Sequence, residues 1–124
     1  MRAYSGRITI IILLTVIPTL VFSQVRYPTL EDSRRAVRCS LLYAIAARDA
    51  PSEKHRLANL TFRQLMLELA SMSANTQLTS SWADELEQEI PSFTGESLMT
   101  LNEDCKSLSK EYRETLDFLY KRPR

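Results

Sequence analysis

Cys39-Ser40-Leu41-Leu42-Tyr43-Ala44-Ile45-Ala46-Ala47 is the stretch on which the fold turns. It carries a cysteine and almost nothing polar beyond Ser40, in a chain whose other amphipathic segments are half charged. At the helical angle, Leu30, Val37, Leu41, Ala44 and Ile45 fall on one face, and Cys39, Leu42 and Ala46 on the opposite one. A surface helix shows a single apolar stripe, so two stripes imply neighbours on both sides. The pattern predicts a helix over about 30–48. Pro28 precedes it, Thr29 caps it with Asp32 three residues on, and Asp49-Ala50-Pro51-Ser52 stops it. Arg34, Arg35 and Arg38 share the flank between the two stripes.

Upstream of this helix the chain reads as an export leader over 1–23. Arg2 and Arg7 form a basic start, Ile8 to Ile17 is the apolar centre, Pro18 breaks it, and Val21-Phe22-Ser23 suits a cut before Gln24. The apolar run, Ile8 to Phe22, is shorter than the ~20 residues a spanning helix needs and contains a proline, so no stable span is expected after cleavage. Export gives the cysteines their meaning. Cys39 and Cys105 are the only two, and an even count in an oxidising compartment implies a disulfide, here with one possible intramolecular pairing. It would close a loop across 66 positions. Chain entropy assigns such a loop about 4 kcal/mol. The spacing fits neither a redox nor a zinc motif, and the bridge is expected to be structural.

Downstream, a second helix is expected over about 52–73. Ala58, Phe62, Leu65, Leu69 and Met72 form its main stripe, while Leu60 and Leu67, seven apart, lie on the far side beside Arg63 and Gln64. The Ser, Thr and Asn of 73–81 suggest a loop. A short third helix follows over 81–90, with Trp82, Leu86 and Ile90 on its inner edge and Pro91 closing it. The last helix, 95–120, has Thr94 as its cap. Leu98, Leu101, Cys105, Leu108, Tyr112, Leu116 and Leu119 repeat along it at spacings of three and four. Cys105 sits mid-stripe, so the bridge would tie helix 4 to helix 1 inside the core. The expected fold is all-α: a four-helix bundle with a short third helix, forming one domain over 24–124.

Charge narrows the function. From Gln24 to Arg63 there are eight basic and four acidic side chains; from Gln64 to Arg124 there are six and eleven. A near-neutral total gives no basic surface for a nucleic acid. Catalytic groups are sparse. His55, the single histidine, sits between Lys54 and Arg56, with no free thiol and no nucleophile elbow to serve. Asp84, Glu85, Glu87 and Glu89 lack the histidine or glycine turn of a metal site and read as a solvated face. Asn59-Leu60-Thr61 fits a glycosylation pattern, but inside a helix. Neither an enzyme nor a cofactor is expected.

The remaining signal is excess apolar surface. The profile resembles, in outline, bacterial periplasmic immunity proteins and small periplasmic chaperones. No family motif matches residue by residue, so nothing is carried over from that outline; the profile itself leads to the expectation of a non-enzymatic protein-binding domain in the periplasm or outside the cell. Leu60, Leu67 and the Arg34, Arg35, Arg38 flank are the candidate contacts, and the partner is another protein or a second copy. Two alternatives stand beside it: a carrier of a small apolar ligand in the bundle core, and a secreted signalling bundle.

Overall fold

A computed structural model describes residues 25–123; the leader expected over 1–23 lies outside the described residues. Among the described residues five α-helices follow one another: α1 Leu30–Arg48, α2 Glu53–Ser71, α3 Thr76–Glu89, α4 Gly95–Glu111 and α5 Arg113–Lys121, with a 3-10 turn, Ile90–Ser92, after α3. Among the described residues there is no strand.

Each boundary has a local cause. Thr29, Ser52, Asn75 and Thr94 stand in extended conformation. Each accepts with its side chain an amide N–H three residues ahead, one of the donors a helix start leaves unpaired. The first helix has the expected bounds, and the second starts one residue later, with Ser52 as its cap. The third is corrected. It begins at Thr76, so much of the expected 73–81 loop is helical, and at 14 residues the helix is not short. Asn75 starts it, Thr79 folds its hydroxyl back to the Thr76 carbonyl, and Leu78 gains partial burial.

The expected single helix over 95–120 is likewise two. Tyr112, at φ −109° and ψ 23°, interrupts it without any proline or glycine. The break is held by the arm before α1. Arg26 Nη2 donates to the Glu111 carbonyl at 3.2 Å, and its guanidinium lies 4.4 Å from the centre of the Tyr112 ring. The Thr115 hydroxyl accepts from the Arg26 amide and donates to the Arg26 carbonyl, both at 3.0 Å. Pro28 is buried next along the arm. The side chain of Arg26 thus occupies a carbonyl that a continuous helix would keep in its own ladder.

The core gathers Ala36, Val37, Cys39, Leu65, Met66, Leu69, Ala70, Leu101, Cys105, Leu108, Tyr112 and Leu119. The helix α1 touches α2, α3 and α4, and is the central post. Val37 and Cys39, on opposite faces, are both sealed from solvent, as the two stripes implied. Cys39 and Cys105 form the disulfide, with Cα atoms 5.6 Å apart, inside the usual range. Four expected inner positions are not interior: Leu30 and Phe62 are about half exposed, Ala58 is exposed, and Leu98 is exposed at the start of α4. Phe62 and Ala58 open onto a groove instead.

Candidate functional site

The arginine flank of α1 is bound within the molecule. Arg34 Nη2 reaches Glu85 Oε2 on α3 at 2.9 Å, and Arg38 Nη1 reaches Glu89 Oε2 at 3.3 Å. Glu85 and Glu89, members of the acidic row read as solvated, are therefore partners that hold α3 to α1. Arg35 is the hub on the other side. Its Nη2 lies 2.8 Å from Asp104 Oδ1, with Nε on the same carboxylate, and its Nη1 lies 2.9 Å from Asp32 Oδ1 and 3.4 Å from Glu111 Oε2. A fork of this kind on a carboxylate fixes orientation as well as charge.

Tyr112 extends that network by donating its hydroxyl to Asp32 Oδ2. Burial alone would raise the Asp32 carboxyl; the bonds from Tyr112 and Arg35 outweigh it and hold the group below its ordinary value. The Tyr112 hydroxyl moves up, first from burial and then because its bond to Asp32 needs the proton. The Asp104 contact leads the upward shift of Arg35. These groups are mutually satisfied, and they join α1, α4 and the arm. Nothing in the set is held back for a ligand.

The other face of the bundle is less complete. A groove of about 530 Å³ opens to solvent between α2 and the α4–α5 unit. Ala58, Phe62, Leu65 and Met66 line it from α2, and Ser109, Arg113, Leu116, Asp117 and Tyr120 from the other side. Phe62 also stacks on Tyr43, ring centres 5.4 Å apart. Around Tyr120 the apolar surface continues into a second depression with Leu57, Leu60 and Thr61. Leu67 lines a third, with Met72 and Leu119. Leu57, Phe62 and Tyr120 keep 52%, 49% and 60% of their surface in solvent.

Leu60 and Leu67, half-buried, line these two neighbouring depressions and not the groove itself, and the arginine flank belongs to other seams. The structure does not bring the two sets together into one site. Sequence reasoning missed Leu116 and Tyr120 as groove walls, and Leu57 in the depression beside them. Leu116 was assigned to the core stripe, and Tyr120, four residues beyond it on the same helix, carries the signal that could have extended that stripe onto the surface.

His55 remains at the start of α2, where its Nδ1 and the Ser52 hydroxyl lie 2.7 Å apart and Ser52 also caps the helix. That pair is exposed and has no third orienting group, so it lacks the arrangement a nucleophile needs. Asn59 turns its amide back to the His55 carbonyl at 2.9 Å. Among the described residues no three His, Cys, Asp or Glu side chains are placed to hold a metal ion, and no helix is long and apolar enough to cross a membrane. No family model, curated protein or solved structure matches the chain.

Proposed function

We propose that the protein is an exported, non-enzymatic binding domain of the periplasm or extracellular space. It docks another protein, or a second copy of itself, on the α2–α5 face. The observation that supports this is the open apolar groove with Phe62 and Tyr120 at its walls. Partly exposed aromatic side chains beside a concavity are the anchors that interfaces use, because they offer large area for little lost freedom. Leu60 and Leu67 line the neighbouring depressions, on the other side of α2 from Phe62. Arg34, Arg35 and Arg38 form the other candidate contact, on a separate part of the molecule and already paired with carboxylates within it.

The disulfide fits an oxidising, non-cytosolic compartment. Intact mass of the protein recovered from its native compartment should correspond to a chain starting at Gln24, with no free thiol. Crosslinking in that compartment should trap one protein species, and Phe62→Ser with Tyr120→Ser should abolish the crosslink while leaving the fold intact. Sedimentation separates the two kinds of partner. If the partner is a second copy, Leu60→Glu with Leu67→Glu should shrink the assembly; a monomeric parent removes self-association. Equal crosslinking by parent and groove variant would overturn the docking face.

The carrier reading keeps one point in its favour. The groove volume falls in the ~300–1,000 Å³ range of small-molecule sites, and its lining is mainly apolar. The concavity is a surface groove, however, and not the enclosed bundle-core chamber that this reading expected. Native mass spectrometry showing a bound apolar molecule, displaced in the Phe62→Ser variant, would favour it over a protein partner.

A further inference from the structure

The α2–α5 groove carries two charges of opposite sign, and only one of them is answered within the molecule. Arg113 stands exposed at the first position of α5 and lines the groove. Arg34, Arg35, Arg38, Arg48, Arg56 and Arg122 each meet a carboxylate, and Arg26 lies over Tyr112. Arg113 forms no ion pair among the described residues. Its place is locally unfavourable. A cation at a helix start meets the positive end of the dipole, and a base four residues before an acid is the weaker order of such a pair. That acid, Asp117, lines the same groove and is held from the next turn by Lys121 at 3.0 Å. An exposed pair of this kind is weak and leaves the carboxylate open to a second cation.

The two signs stand one helical turn apart, about 6 Å along the axis. A twofold axis midway between them sets each charge of one copy against the opposite charge of the other. Self-complementarity of this kind is what an isologous contact requires. The apolar walls obey the same operation. Phe62 and Tyr120 keep 49% and 60% of their surface in solvent, and Tyr120 and Ser109 mark opposite ends of the wall formed by α4 and α5. The rotation brings the Tyr120 end of each groove over the Ser109 end of the other, so each exposed ring gains a seat on its partner. An apolar small molecule would leave Arg113 unanswered, and an unrelated protein has no need of both signs in reciprocal order. With a net charge of +1, two copies repel each other little.

We propose that the occupant of the α2–α5 face is a second copy of this chain. The two copies are related by a twofold axis between Arg113 and Asp117, and each copy's Arg113 pairs with the partner's Asp117. This rests on the face being the docking surface and names what docks there.

Sedimentation velocity of the protein as recovered from its native compartment, and of variants produced in the same way, tests it over micromolar to millimolar concentration. The parent should show a monomer–dimer equilibrium. Arg113→Glu sets acid against acid at both reciprocal pairs and should weaken the dimer at least about tenfold, and Asp117→Lys should do the same with two cations. Mixed in equal amounts, these two variants should form a heterodimer of near-parental strength, because both pairs are then of opposite sign. Arg113→Asp with Asp117→Arg in one chain should self-associate like the parent. Phe62→Ser with Tyr120→Ser should stay monomeric alone and in every mixture. Thermal unfolding of each variant should match the parent at dilutions where both are monomeric. A parent that remains monomeric at millimolar concentration overturns the proposal, as does a mixture that fails to dimerise where the parent does. If the parent is monomeric but another protein still crosslinks to it through Phe62 and Tyr120, this inference alone falls and the docking face stands. A dimer that survives loss of both rings overturns the two together.

Discussion

The α1–α4 seam and the α2–α5 face are built from similar residues and finished differently. In the seam, Cys39 is bonded to Cys105, and Arg35 holds Asp32 and Asp104, with Tyr112 on the same Asp32. Across the α2–α5 face, Phe62 and Tyr120 stand half in water beside a groove that no element of the described chain covers. The seam satisfies its groups internally and can be assigned to stability. The open face leaves apolar surface unburied, the surface that the proposed docking would use. Side-chain type does not separate the two regions; whether each group has a partner does.

The largest break in this contrast should come from the disulfide. Cys39→Ser with Cys105→Ser should lower stability by up to about 4 kcal/mol in urea unfolding, since the unfolded chain regains the freedom of a long loop. If the variant stays folded, it should keep the proposed crosslink, because neither cysteine lines the α2–α5 groove. A loss below about 1 kcal/mol would mean that the seam depends on packing and ion pairs instead.

Removing the carboxylate at the centre of the network comes next. Asp32→Ala should cost about 2–3 kcal/mol, the scale for a charged group with several bonds to partly buried partners. Its pH dependence has a definite sign. The folded carboxyl lies below its ordinary value, so its contribution is complete above the unfolded value and is lost as pH falls through the folded one. Asp32→Asn should therefore flatten the acid side of the stability profile. Tyr112→Phe should raise the folded Asp32 titration in carboxyl NMR, because one of the bonds lowering it is gone. An unmoved titration would remove Tyr112 from the network.

Ser33 provides a smaller, opposite effect. Its buried hydroxyl has no hydrogen-bond partner among the described residues. Ser33→Ala should gain about 1 kcal/mol, by sparing an unsatisfied polar group and improving helix propensity. The smallest stability change belongs to the open face: Phe62→Ser with Tyr120→Ser should shift unfolding by no more than about 1 kcal/mol while removing the proposed crosslink. A large loss there would make the groove a stability element and erase the contrast.

Much of this architecture was legible because helical periodicity is local. The double stripe around Cys39 made α1 central, and the caps Thr29 and Thr94 marked their helices with short-range hydrogen bonds, whereas the cap at Ser52 read only as part of a turn. The start of α3 was not legible, since Thr76–Ser80 looks like a loop until Asn75 caps it and Leu78 finds cover. Nor was the division at Tyr112. The stripe of leucines runs through it unbroken, and the group that holds the break, Arg26, lies 85 positions away from Glu111.

The sequence by itself determined an all-helical chain, a central first helix and one possible cysteine pairing, because period, capping and pairing arithmetic need only neighbours and counts. Which surfaces are finished was decided by tertiary structure alone. A charged or apolar side chain on a helix has the same sequence whether its partner is near or absent. Only packing distinguishes Arg34, Arg35 and Arg38, each answered by a carboxylate, from Phe62 and Tyr120, left with surface still facing water.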